Sequence, residues 1–171
     1  IAKARQEGRS QQALDFTRQL SKSDPSEANR ELLRQVTLER AKHLQEAGSN
    51  GDAIIVYTNL LSLDCSTELT TKAVIGLFEC GAVAQALAVL PTISDATVRA
   101  SIHNGCIDTA ITQGKSGKKN LPADLHAGFD ATLAAFAHYE AGRDEEARNA
   151  LQLIGLQSPF LEWKVLLRGL I

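Results

Sequence analysis

The chain has 171 residues, 44% of them apolar and 22% charged, with a formal net charge of −2. That length suits one domain or one repeat array with a real core, and the apolar content is that of a globular chain, not a disordered one. The slightly acidic balance argues against a polyanion as the main partner, and no apolar run approaches the roughly 20 residues that a membrane span needs.

Taken in order, residues 1–7 and 10–22 read as a first pair of helices, stopped by Asp24-Pro25. Proline accepts a first helical turn and nothing later, so Asp24-Pro25-Ser26-Glu27 is expected to start a long helix that runs to about Ala47. Leu32, Leu33, Val36, Ala41 and Leu44 mark its inner side. Gly48-Ser49-Asn50-Gly51 reads as a turn, and residues 52–63 pack back. Residues 67–80 and 83–90 form a third pair, the second helix cut short by Pro91. Residues 95–113 carry Val98, Ile102, Cys106 and Ala110 at spacings of four and predict one helix, with Gly105 a potential break. Residues 114–120 read as a loop.

A long alanine-rich helix then begins at Ala123 or Asp124 and runs to Ala141, since alanine loses no side-chain entropy on helix formation. Gly142 supplies the left-handed residue that ends it. Asp144 stands where an N-cap would accept backbone N–H groups, with Glu145 and Glu146 favourable in the first turn. Ala147, Leu151 and Ile154 mark the buried stripe of the following helix, and an apolar helix from Pro159 to Ile171 closes the sequence.

The same device recurs. Gly8 and Ala13, Gly48 and Ala53, Gly81 and Ala86, and Gly142 and Ala147 each pair a glycine with a small residue five positions on. The small residues stand 40, 33 and 61 residues apart. The last gap is close to two periods of about 34 residues, so a divergent repeat is expected at about 91–123. A helical hairpin with apolar surface on both flanks is not stable alone and must stack on neighbours.

On these residues the chain resembles the tetratricopeptide repeat (TPR) family. The pattern extends to Pro25 and Pro159, each twelve residues after its small residue, to the spacing from Ala53 to Tyr57, and to Gly169. Related helical-hairpin repeats are the second choice, because the family's Trp–Leu–Gly–Tyr signature is poorly kept around Trp163 and Gly169. The resemblance implies an all-α fold, a right-handed superhelix of stacked antiparallel helical hairpins, over a single array spanning residues 1–171. The absence of methionine and the apolar last helix suggest an excerpt of a longer protein.

Several local signals invite chemistry. Gly114-Lys115-Ser116 imitates the end of a phosphate-binding loop, but the earlier glycine would fall at Thr109 and a helix, not a strand, precedes it. Lys115, Lys118 and Lys119 lack interleaved aromatics, so no nucleic acid is expected. His103 and Cys106 share an i, i+3 spacing without a second pair, which makes a zinc site improbable. His43, His126 and His138 have no acid partner visible in the sequence, and Asp144 with Glu145 and Glu146 reads as a helix start, not paired acid–base carboxylates. No catalytic, cofactor or metal site is expected, and the chain reads as a non-enzyme. Cys65, Cys80 and Cys106, odd in number and irregular in spacing, read as buried free thiols and lean towards a cytoplasmic location.

The expected function is therefore a protein–protein interaction scaffold that holds a peptide or helix of a partner on its concave face. The alternative is a regulatory or recruiting segment of a larger enzyme or of a secretion or assembly machine. The first helix of each pair should line that face. Gln35, Leu38, Lys42 and Gln45 come from the second pair, and Glu68, Thr71, Ile75 and Phe78 from the third. Phe129, Thr132, Phe136 and Tyr139 come from the last, with Trp163 following. Of these, Lys42, Gln45, Phe78, Phe129, Thr132, Phe136, Tyr139 and Trp163 are the candidate partner-binding residues. The aromatics serve equally well to pack one repeat on the next. The uncapped C-terminal helix offers a route to self-association, and no membrane partner is expected.

Overall fold

The computed structural model describes residues 1–171. Its regular structure is entirely helical: ten α-helices and three short 3₁₀ segments, with no strand. The helices are α1 (Ala2–Gln6), α2 (Ser10–Ser23), α3 (Glu27–Glu46), α4 (Asn50–Leu61), α5 (Thr67–Glu79), α6 (Val83–Val89), α7 (Ala96–Thr112), α8 (His126–Glu140), α9 (Asp144–Gln152) and α10 (Leu161–Leu170). The chain divides into two compact units, Ile1–Arg99 and Ala100–Ile171.

One turn is used four times. Gly8, Gly48, Gly81 and Gly142 all have φ between 68° and 85°. The residue after each glycine donates its N–H five residues back: Arg9 to Ala4, Ser49 to Leu44, Ala82 to Leu77 and Arg143 to His138, at 2.8–2.9 Å. Each glycine N–H reaches three residues back, which completes a Schellman closure of the preceding helix. The carbonyl of that same following residue then accepts the N–H of Ala13, Ala53, Ala86 or Ala147 at 3.0 Å, opening the next helix. Two residues thus close one helix and start its antiparallel partner. The four alanines are 0–1% exposed. Their missing side-chain bulk is what lets the paired helices approach.

This geometry separates two glycines three residues apart. Gly48 is left-handed, whereas Gly51 lies inside α4 with open space where a Cβ would stand. Gly48→Ala is expected to cost about 1–2 kcal/mol, because an L-residue is strained there. Gly51→Ala is expected to stabilise by about 0.4–1 kcal/mol by restricting the unfolded chain. Denaturant midpoints of the two variants, moving in opposite directions, check the assignment.

In the first unit α2 packs on α3, α3 on α4, α4 on α5 and α5 on α6, while α3 also meets α5 directly. Ala13, Leu14, Val36, Ala53, Tyr57, Leu60, Ala73, Val74, Leu77 and Ile93 fill its interior. Arg34 is itself buried in this unit, its Nε donating to Leu63 O at 3.0 Å and its Nη1 to Glu27 Oε1 at 2.7 Å. The guanidinium therefore ties the middle of α3 to the chain that leaves α4. Pro91 acts as expected: α6 stops at Val89 and a 3₁₀ turn, Leu90–Thr92, carries the proline at its start.

In the second unit α8 packs on α9 and on α10. Phe129, Ala135, Ala147, Leu151, Ile154, Phe160 and Leu167 form the core with Ile107 and Ala110. Gly128 lies against the Phe160 ring, where an added Cβ would come within 2.5 Å of it.

α7 is the single helix expected and runs unbroken through Gly105. Several other boundaries differ from the sequence expectation. Residues 114–120 are not an open loop but a 3₁₀ segment, Gly114–Asn120. Its Gly117 is buried so closely on α7 that a Cβ would stand 2.0 Å from Ala110 O. Gly114 is a fifth left-handed glycine, 33 residues after Gly81, and here a tight 3₁₀ coil stands where a second helix would follow. α8 begins at His126, after a 3₁₀ turn at Ala123–Leu125. Arg143, not Asp144, is the residue preceding α9, and no side-chain cap bond forms there. The carboxylates of Asp144, Glu145 and Glu146 all fall in the first helical turn, where they complement the helix dipole.

Candidate interaction surfaces

Lys42 and Gln45 line one cleft of the first unit, with a volume of about 310 Å³. Its walls are α3, through Lys42, Gln45 and Glu46, and α5, through Lys72, Ile75, Gly76 and Glu79. Both are the first helices of consecutive hairpins. Tyr57 of α4 also lines it.

The cleft is built around one close approach. Gly76 has no side chain because the Tyr57 ring occupies its place; a Cβ there would stand 2.2 Å from the ring's Cζ. The Tyr57 hydroxyl donates to Gln45 Oε1 at 2.6 Å, and Gln45 Nε2 donates to Glu79 Oε2 at 2.7 Å. That relay fixes Gln45 and presents the Glu79 carboxylate at the rim. Burial is the main reason the phenol is pushed up to about 12, with the negative charges of Glu79 and Glu46 acting in the same direction. Lys42 forms no ion pair, and Lys72 pairs only with Glu68 one turn away at 2.5 Å. Phe78 is half-buried on the same helix, outside the cleft lining.

The second-unit candidates separate into two groups. Phe129 and Thr132 are both 0% exposed, and the Thr132 hydroxyl donates to Gly128 O within its own helix. Neither has a surface to offer, which corrects their placement on a binding wall: the α8 face that carries them is the one the core encloses. Phe136, Tyr139 and Trp163 are half-buried. Phe136 meets Trp163 edge-on, with ring centroids 5.6 Å apart and planes at 68°. The indole N–H donates to Asp108 Oδ1 at 2.8 Å. Those contacts fasten α10 to α8 and α7, so the pair packs elements together. Exposed apolar side chains lie elsewhere in this unit, at Leu153, Leu156, Val165, Leu166 and Leu170.

The remaining chemistry-bearing residues are dispersed. No group of three or more His, Cys, Asp or Glu side chains is placed to hold a metal ion. No helix is long and apolar enough to cross a membrane. All three cysteines are free; Cys80 and Cys106 are buried, whereas Cys65 is partly exposed, a departure from the expected burial. Burial pushes the Cys106 thiol up to about 12 and holds the His103 imidazole below its ordinary range, with Asp124 opposing the latter shift.

These shifts have a stability consequence with a definite sign. The unfolded chain releases the Cys106 proton near pH 9.0 and the Tyr57 proton near pH 10.0, while the folded chain keeps both to about 12. Between those values the unfolded state binds fewer protons, so stability falls as pH rises. The expected result is a denaturant midpoint that declines from about pH 9 towards 12, with a shallower decline in Tyr57→Phe. Iodoacetamide at pH 8 is expected to label Cys65 first and Cys106 only after unfolding, as read by peptide mass.

The cleft residues Glu46, Tyr57, Lys72, Gly76 and Glu79 escaped sequence reasoning. One signal was available: Gly76 stands inside a helical pattern, where a glycine can have a packing reason, although Gly51 and Gly169 stand inside helices with open space where a Cβ would stand.

An all-α chain of tightly turned helical hairpins, with charged side chains lining a cleft between first helices, is the class of protein defined here. In comparisons with known proteins the chain matches no family model, no curated protein and no solved structure.

Proposed function

We propose that the chain is a non-catalytic protein-interaction scaffold of the TPR type. Its hairpins stack into a right-handed superhelix, and a segment of a partner protein lies against its first helices. The observation that carries this reading is the α3–α5 cleft. It falls between the first helices of consecutive hairpins, the surface such scaffolds use, and Gln45 and Glu79 on its wall are held in place before any partner arrives. The four identical Gly–x turns support the repeat reading, and the three free thiols suit a cytoplasmic location.

Site-specific photo-crosslinking tests the proposal. A benzophenone side chain replacing Ile75 in the cleft is expected to capture a discrete protein. The same group replacing the exposed Ile55 on the second helix α4 is the control. Equal capture from both positions, or none from position 75, overturns it.

A further inference from the structure

The charges of the α3–α5 cleft are sorted along its length. Lys42 lies one turn before Glu46 on α3, and Lys72 two turns before Glu79 on α5. The two carboxylates belong to the last residues of their helices, where the negative ends of both helix dipoles add to them. One end of the cleft is therefore cationic and the other anionic, with Ile75 and Gly76 between.

We propose that this cleft binds an extended partner segment carrying an acidic and a basic side chain two residues apart. The acid is held by Lys42 and Lys72, the base by Glu46 and Glu79. This inference rests on the scaffold reading above and names the chemistry of its partner. Lys42 and Glu46 form no ion pair of their own, and Glu79 accepts one hydrogen bond, from Gln45, leaving its second oxygen free. Lys72 exchanges an exposed pair with Glu68, an interaction weak enough to yield to a partner carboxylate.

The spacing fits. Four residues of helix separate Lys42 from Glu46 by about 6 Å, and seven separate Lys72 from Glu79 by about 10 Å. Side chains on one face of an extended peptide recur every ~6.8 Å. On a helical segment an acid and a base about 6 Å apart, four residues from each other, would pair together along the helix, whereas an extended segment leaves them free for the cleft, so an extended segment is the occupant. Ile75 lies between the two charged ends and offers an apolar contact for the aliphatic stems of the acid and the base, since the residue between them points to the other face.

Two linked measurements test this on the whole chain. Random heptapeptides are first selected by display on the protein, with Ile75→Glu as the counter-selection. Three blocked peptides with Glu-Val-Lys, Glu-Val-Glu and Lys-Val-Lys cores are then titrated by amide chemical shifts. The expected result is enrichment of acid–x–base sequences and about tenfold tighter binding of the Glu-Val-Lys peptide, with shifts on α3 and α5. Glu79→Lys is expected to transfer the preference to Glu-Val-Glu. Equal affinity for the three peptides, or selected sequences that lack the pattern, overturns the inference. If such binders are still lost in Ile75→Glu, the scaffold reading stands. If neither measurement yields any ligand dependent on Ile75, both fall.

Discussion

Replacing Phe129 by alanine is expected to lower the stability of the second unit by about 3–5 kcal/mol. The ring is completely enclosed, on the α8 residue adjoining Gly128, where the Phe160 ring packs without an intervening Cβ. Deleting the ring removes its transfer energy and leaves a cavity. The cavity cannot close readily, because Gly128 already brings Phe160 as near to α8 as backbone contact allows. Phe136→Ala gives the contrast: that ring is half-buried, and its edge contact with Trp163 adds only about 0.5–1.5 kcal/mol beyond the area it covers. Denaturant unfolding of the two variants, followed by helical circular dichroism, checks the difference. Equal losses would show that the enclosure of Phe129 is not real.

Tyr57→Ala is the second large effect, expected at about 3–5 kcal/mol in the first unit. Tyr57 is 1% exposed, and its ring occupies the space that Gly76 leaves vacant. The reciprocal substitution, Gly76→Val, drives a branched side chain into that ring and is expected to cost at least ~1–3 kcal/mol. Combining the two should be less damaging than their sum, because the valine enters the space the phenol has left. Tyr57→Phe isolates the hydroxyl. It leaves Gln45 Oε1 without its donor, at an expected cost of about 1 kcal/mol. It also frees Gln45, and through it Glu79, to move at the cleft rim. A double-mutant cycle on thermal midpoints reads all three, and strict additivity of Tyr57→Ala with Gly76→Val would mean the two sites do not touch.

The arrangement of functional candidates follows from how a helix divides its circumference. Register places Lys42 and Gln45 on one side of α3, and both line the cleft. The α8 residues were harder. Phe129, Thr132, Phe136 and Tyr139 recur at spacings of three and four, so they define one continuous stripe, and a stripe of that kind reads the same whether it faces a partner or the core. Phe129 and Thr132 proved enclosed, Phe136 and Tyr139 half-open.

By itself the sequence determined the helical character of the chain and its punctuation. Four glycines at a fixed five-residue distance from a buried alanine specify the same turn four times, since only the left-handed conformation lets one residue's N–H close a helix while its carbonyl opens the next. Those are local constraints, spanning ten residues or fewer. What the tertiary structure alone decided is long-range. Tyr57 fills the gap at Gly76, Phe160 lies on Gly128, and Gly117 presses onto the carbonyl of Ala110. Each joins residues separated by more than one turn of helix, and nothing in the spacing of a single helix says which neighbour a missing Cβ makes room for. The charge-sorted cleft arises the same way: α3 and α5 each carry an ordinary mixture of lysine and glutamate, and only their packing against each other sets like charges at like ends.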